Sequence, residues 1–431
     1  MSLLEAILRR KGDASAEEPK RRTGAPSSEP PPAKASAFPK VVGPADAVLY
    51  GTVIALIAFG VVMVFSASSV FASQRYENGY FFLIRQGVFA LVALPMMVAI
   101  ARIDYHVYRR FTYPLLAVVV GLLLVTALGF GHSAGGAARW IAVGPVHIQP
   151  AEMAKVALIF WLAYSLSKKR EKIRTFSVGF LPHMLGAGVL MLLCLKQPDF
   201  GSAVVIGLLT FILLFTAGAR LGYILGAGIL AAPVVYALVM WVEYRRLRMT
   251  AFMDPFGTRQ GAGYQVAESL LSFGSGGLTG VGLGDSRQKL FYLPEAHTDF
   301  ISAIIGEELG FIGLSLLMIG FLIVFGRGIR AAIRAADDYG TYLAVGITMF
   351  IGMQAFTNLA VAMGMLPTKG LVLPFISYGG SSLLVNSAAV GVLLNVTRPR
   401  EAAGAGATNR REGEGAKAPR VAGVVPQGGT A

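Results

Sequence analysis

The sequence predicts an all-α polytopic membrane protein of ten transmembrane helices with both termini cytoplasmic. Three observations carry this. Of 431 residues, 55% are hydrophobic and 14% charged, and the mean hydropathy is +0.62, which leaves too little polar surface to cover a soluble core of this size. The apolar residues fall into ten runs, each close to the roughly 20 residues that cross a hydrocarbon core. Basic residues collect after every second run. The net charge of +14 therefore follows the positive-inside rule, and no nucleic-acid partner is expected.

Residues 1–44 are rich in Pro, Ala, Ser and Lys and cannot bury enough apolar surface to offset ordering, so a disordered cytoplasmic tail is expected there. The first apolar run begins near Asp46, after that polar leader. It is long enough to span and is expected to persist as the first helix, with no cleavable signal peptide. Spans are expected near 46–70, 81–101, 112–130, 151–167, 179–196, 199–217, 222–242, 299–326, 341–363 and 380–397, together forming a membrane domain over 45–397. Gln197-Pro198-Asp199 divides the fifth from the sixth, because proline cannot continue a helix without losing a hydrogen bond. Arg102, Arg109 and Arg110 follow span two, Lys168 to Arg174 span four, Arg220 span six, Arg327, Arg330 and Arg334 span eight, and Arg398 and Arg400 span ten. The opposite face then carries the loop 131–150, the turn at Asp199, the segment 364–379 and a long extracytoplasmic loop, 243–298. Its Arg245, Arg246 and Arg248 are no obstacle, since long loops obey the rule weakly. Residues 398–431, rich in Gly, Ala and Arg, are expected to be a second disordered cytoplasmic tail.

The lone Cys194 allows no disulfide within one chain and leaves the redox compartment open. His106, His132, His147 and His183 lack helical ligand spacing, so no metal site is expected. No internal repeat argues for an inverted-repeat transporter.

Ionisable groups at a bilayer boundary are costly and usually mark function. The run from Leu290 to Ile301 places His297 and Asp299 at the start of span eight, with Glu295 before them and Glu307 and Glu308 beyond. Helix capping accounts for an isolated Asp in such a place, and it is the preferred reading of Asp199; Pro150 and Glu152 likewise look like the opening of span four. Asp299 stands out by its company. Glu307 lies about 80° around the helix and about 12 Å deeper, Glu308 points the opposite way, and neither is expected to face lipid. A second external cluster, Gly135 to Ile141, leads a Gly-rich stretch into Arg139 and Trp140. A belt position explains the Trp on spacing alone, while Arg with an adjacent indole can also hold a phosphate and stack on a sugar. The third, Leu366 to Ser382, combines Lys369 and Ser377 with two prolines and three glycines in a non-helical re-entrant stretch. Snorkelling is the bland account of Lys369, an anion contact the sharper one. Gly274 to Gly284 lacks the ending and setting of a phosphate loop and reads as flexible connection.

The stretches Gly-Ala-Ala-Arg-Trp-Ile at 136–141, Gln-Pro-Ala-Glu-Met-Ala-Lys at 149–155, Gln-Pro-Asp-Phe-Gly-Ser at 197–202, Leu-Pro-Glu-Ala-His-Thr-Asp-Phe-Ile at 293–301 and Leu-Pro-Phe-Ile-Ser-Tyr-Gly-Gly-Ser-Ser at 373–382 together resemble the SEDS family of bacterial wall synthesis. Within it the chain is most similar to the FtsW branch, through Ile-Gly-Glu-Glu-Leu-Gly at 305–310 and Leu-Pro-Thr-Lys-Gly-Leu at 366–371. Ser302, where Phe is common, and Met153, where Leu is common, are small departures. The resemblance implies a polymerase that extends peptidoglycan glycan strands from lipid II at the outer side of the inner membrane, at the division septum. It further implies a class B penicillin-binding protein and other divisome membrane proteins as partners. It makes Asp299 the catalytic acid–base residue and Trp140 a residue needed for activity; Arg139, His297, Lys369, Glu307 and Ser377 are the remaining substrate-contact candidates. No cofactor is identified, although a divalent cation is compatible with a diphosphate substrate. A carboxylate can take a proton from an acceptor hydroxyl while cations steady a departing diphosphate, a single displacement with inversion. A lipid II flippase, an elongation polymerase of RodA type and an inactive division scaffold are the alternatives.

Overall fold

The computed structural model describes residues 41, 43–134, 137–144 and 146–400. Among them, nine helical stretches are long and apolar enough to cross a membrane. In chain order the long helices are α1 (Ala47–Tyr76), α2 (Phe81–Arg102), α3 (Tyr108–Val125), α4 (Pro150–Lys168), α5 (Leu181–Lys196), α6 (Phe200–Ala217), α7 (Leu221–Met240), α10 (Ile301–Arg334), α11 (Asp338–Ala362) and α12 (Gly380–Thr397). Two shorter helices, α8 (Glu243–Met253) and α9 (Tyr264–Gly276), sit in the long loop.

The helix outside the set of nine is α4. It is 19 residues long, opens with Pro, and carries Glu152 in its first turn and Lys155 in the next. The Lys155 ammonium donates to Glu152, which also accepts from the Gln354 amide at 2.8 Å. All three side chains are buried. A helix wrapped by α3, α6 and α11 needs no lipid-facing apolar surface, so it can hold a paired charge that a lipid-exposed helix cannot. Of the ten expected spans, nine thus have the length and hydropathy to cross a membrane among the described residues, and α4 is a buried helix outside that set.

Asp199 follows the capping reading, accepting from the Ser202 amide before α6; Asp46 does the same before α1, accepting from the Val48 and Leu49 amides, and each satisfies a donor that the first turn leaves free. In the expected loop 131–150 the described residues form a small three-stranded antiparallel sheet of β1 (His132–Ala134), β2 (Ala137–Val143) and β3 (Val146–Ile148).

Gly274 to Gly284 is also corrected, from flexible connection to packed structure. The long helix α10 breaks at Gly310 (φ 64°, ψ −164°), and the glycine-rich segment fills the break. Val281 and Gly282 amides donate to the Glu307 and Glu308 carbonyls at 3.0 and 3.1 Å, while Phe311 and Ile312 amides donate back to Gly277 and Leu278 at 2.9 and 3.1 Å. The backbones approach so closely that a Cβ on Gly276 would lie 2.0 Å from the Gly306 carbonyl oxygen. Broken helices are tolerated at membrane depth only where protein satisfies the freed groups. Gly276→Ala is therefore expected to destabilise the chain by about 1–3 kcal/mol, the range for inserting a methyl into a packed interior, read as a lowered thermal midpoint in detergent. Gly274→Ala, where nothing stands within 4 Å, serves as its silent control.

The membrane helices form one unit over 45–397. In the second unit, Val41 pairs with Arg400 as an isolated bridge and the Arg398 guanidinium donates to the Gly43 carbonyl at 3.0 Å. The expected disorder of 1–44 and 398–431 otherwise falls outside the described residues.

Candidate active site

Four segments meet around a cavity of about 310 Å³: β2, the turn before α6, the α7–α8 junction, and the loop after α11. Arg139, Asp199, Phe200, Arg245, Arg248, Lys369 and Gly370 are among the residues that line it. Each arginine is tethered by a backbone carbonyl. Arg139 donates to Gln197 and Pro198 at 3.1 and 2.6 Å, Arg245 to Leu238 at 2.8 Å and Arg248 to Thr368 at 2.9 Å. The Lys369 ammonium stands 5.6 Å from the Phe200 ring centroid.

None of these four cations has a carboxylate within ion-pair distance among the described residues. Half-buried like charges without counterions are uncomfortable, and their acidities register it. Burial, followed by the charge of Arg139, makes Arg245 easier to deprotonate. Burial does the same to Arg248 and Lys369, opposed at Lys369 by Asp199. A polyanion entering the cavity relieves that cost.

Asp299 lies behind the wall of this cavity, next to Gly370, which lines it. It precedes α10 but does not cap it, since the cap residue is Phe300 and no side chain closes that end. The segment before it is wound tightly: Glu295 has φ 58°, and its carbonyl accepts from the Thr298 and Phe300 amides at 3.1 and 3.3 Å. Asn358 of α11, fully buried, donates to the Asp299 carbonyl at 2.9 Å and to the Leu371 carbonyl at 2.7 Å. One amide thus ties the carboxylate segment to the lysine segment. Side by side, the two segments leave the Asp299 Oδ2 only 3.3 Å from where a Cβ on Gly370 would stand.

The Asp299 carboxyl is pushed up to about 7. Burial is the main cause and the Glu295 charge adds to it, while Arg248 and Arg139 pull the other way. Such a group exchanges protons near neutrality, which suits a general base. Gly370→Ala is expected to lower turnover about tenfold or more with the fold intact, because the added methyl crowds the carboxylate; initial rates alongside a thermal midpoint check it.

Among the sequence candidates, Asp299, Arg139 and Lys369 come together, and the others are engaged elsewhere. His297 is packed among the rings of Phe71, Phe82 and Tyr378 at centroid distances of 5.6, 4.6 and 5.8 Å, and burial lowers its basicity against the pull of Glu295. Its carbonyl accepts from the Tyr378 amide at 3.0 Å, so it braces the Asp299 turn. The Ser377 hydroxyl, buried, accepts from the Leu373 amide at 2.8 Å. Glu307 accepts from the Ser286 hydroxyl and the Arg287 amide. Glu308 accepts from Ser66 and pairs with Lys289. These two carboxylates anchor the loop that fills the helix break, so the structure engages Glu307 there and not at the cavity. Trp140 follows Arg139 on β2 and, by strand alternation, faces away from it; it is half-buried and does not line the cavity.

Sequence reasoning left Arg245 and Arg248 as undifferentiated loop cations. Their i,i+3 spacing, which puts both on one helical face, is the signal that singles them out. Asn358 and Phe200 carry no such signal.

Residues 46–402 match the family model FTSW_RODA_SPOVE, described as cell cycle protein. A relative named probable peptidoglycan glycosyltransferase FtsW from Geobacter sulfurreducens is 49% identical over 353 residues, 82% of this chain and 95% of the relative. Stage V sporulation protein E of Bacillus subtilis is 42% identical over 357 residues, 82% and 97% of the two chains. Among solved structures, a chain of a peptidoglycan synthase complex that coordinates polymerization and crosslinking superimposes with a TM-score of 0.68 at 27% identity, covering 82% of this chain and 97% of the other. The rod shape determining protein RodA of Thermus thermophilus gives 0.61 at 27% identity, covering 82% and 96%. The chain belongs to the FtsW/RodA/SpoVE family, the SEDS proteins, and is most like its FtsW members.

Proposed function

We propose that the chain is a peptidoglycan glycosyltransferase that polymerises glycan strands from lipid II during septal wall synthesis, with Asp299 as the general base. The observation that carries the reading is a carboxyl of raised pKa beside Gly370, in the wall of a cavity lined by four cations that make no ion pair among the described residues and by the capping carboxylate of Asp199. Glycan extension needs both. The base takes the proton of the acceptor hydroxyl as its oxygen forms the new bond, and the bond from the donor sugar to its diphosphate breaks with that electron pair leaving on the diphosphate. Attack opposite the leaving group inverts the linkage. Arg139, Arg245, Arg248 and Lys369 meet the negative charge that grows on the diphosphate, where preorganised cations contribute most. Trp140 enters through the family resemblance, as a residue needed for activity.

The site would lie at the outer face of the inner membrane with both termini cytoplasmic, so that lipid tails stay in the bilayer while headgroups reach Asp299. A class B penicillin-binding protein is the expected partner, a reading supported by the named function of the synthase complex that shares this fold. The similarity to FtsW-named relatives favours division over an elongation role.

Lipid II transport is the competing reading. A transporter of alternating access keeps its site near the midplane, whereas Asp299 stands in a turn before α10. The chain purified with its penicillin-binding partner and supplied with lipid II should yield glycan polymer. Movement of labelled lipid across liposomes with no polymer formed would replace this proposal with transport.

A further inference from the structure

We infer that Phe200 is a positioning residue that uses one aromatic face-set to hold two of the diphosphate-binding cations in place before substrate arrives. The inference rests on the cavity being a diphosphate site. The Arg245 guanidinium lies 5.1 Å and the Lys369 ammonium 5.6 Å from the same ring centroid. The two cations come from different parts of the chain, α8 and the loop after α11, and meet at this ring. An aromatic face carries negative potential and attracts a cation within about 6 Å, more strongly where water is scarce.

The ring itself is anchored by short-range structure. Phe200 is the first residue of α6, directly after the Asp199 cap, whose carboxylate accepts from both the amide and the hydroxyl of Ser202 at 3.0 and 2.8 Å. Arg139 grips the preceding turn through the Gln197 and Pro198 carbonyls. Arg245 and Lys369, by contrast, are long side chains that repel each other and lose little by swinging to water. Arg245 has one carbonyl tether. The Lys369 ammonium makes no hydrogen bond or ion pair among the described residues, so beyond the charge of Asp199 the ring is the contact that keeps it inside. A fixed ring therefore sets where both charges wait. That is the preorganisation that electrostatic catalysis requires.

The plainer reading is that Phe200 is an apolar wall, and a double-mutant cycle separates the two. Binding of inorganic pyrophosphate to the full chain in detergent is measured first, since it does not depend on turnover. F200L and F200M are each expected to weaken it about tenfold, with F200W within about twofold of the native chain. In an R245Q/K369Q background the same F200L change should cost less than about twofold, because no cation remains to be held. Polymerisation of lipid II by the complex with its partner should follow the same pattern. An equal loss from F200L with and without the two cations would make the ring a wall, and unchanged pyrophosphate binding in F200L and F200M would remove it from the site; either overturns the inference. If the native chain binds pyrophosphate through Phe200 yet forms no polymer, the polymerase reading fails and this one stands.

Discussion

Replacing Asp299 with Asn is expected to lower the rate of glycan polymerisation by about 10²–10⁴-fold, the range for removal of a positioned general base. The amide keeps the shape of the carboxyl, and the backbone carbonyl that Asn358 holds is untouched, so the variant should fold. It should in fact be the more stable protein above neutral pH. The folded-state pKa of about 7 lies above the ordinary 3.8, so the fold prefers the protonated form. That contribution is fully present below about 3.8 and is lost as pH rises through about 7. Asn mimics the protonated state and loses nothing over the same window. A higher thermal midpoint than native at pH 8, a difference that shrinks towards pH 4, together with lost turnover, distinguishes a functional carboxylate from a structural one. Lost turnover with a lowered midpoint would assign Asp299 to the scaffold.

Arg248→Gln carries the second large effect, a loss of about 10²–10³-fold in turnover at neutral pH, comparable to removing one preorganised donor from a developing anion. Two mechanisms are separable. Gln can still donate towards the Thr368 carbonyl that Arg248 holds at 2.9 Å, so a purely structural strut would be largely restored. The charge cannot be restored. Arg248 also holds the Asp299 pKa down against burial and Glu295, so without it the carboxyl ionises at higher pH. The ascending limb of the pH–rate profile should move to the alkaline side, and part of the loss at pH 7 should be recovered at pH 9. An unshifted limb would mean that Arg248 and Asp299 are not electrostatically linked.

Much of the frame could be read directly from the chain because hydrophobic run length and local capping are short-range signals. The α6 start at Asp199, the division of two spans by Pro198, and the importance of the segment around Asp299 all follow from residues within one turn of each other. What the sequence hides is set by long-range partners. Glu307 looks like a companion of Asp299 on a continuous helix, but its carboxylate turns to Ser286 and Arg287, 20 or so residues earlier. Gly274 to Gly284 looks like flexible connection until the break at Gly310 gives its amides something to bond. His297, two residues from Asp299 and so on the same side of an extended stretch, faces an aromatic cluster because the segment is a tight turn. Asn358, which joins the Asp299 and Leu371 segments, sits about one turn from the end of α11 with nothing nearby in sequence to mark it.

The initial rate of lipid II polymerisation across pH 5 to 9, measured on the native complex, tests the central role of the Asp299 carboxyl most directly. With a base of pKa about 7, the rate should climb about tenfold per pH unit below that value and level off above it, and Asp299→Asn should show no such limb. A native profile that is already flat from pH 5 upward would mean that the group taking the proton is ionised throughout, and that Asp299, as held in this fold, is not that group.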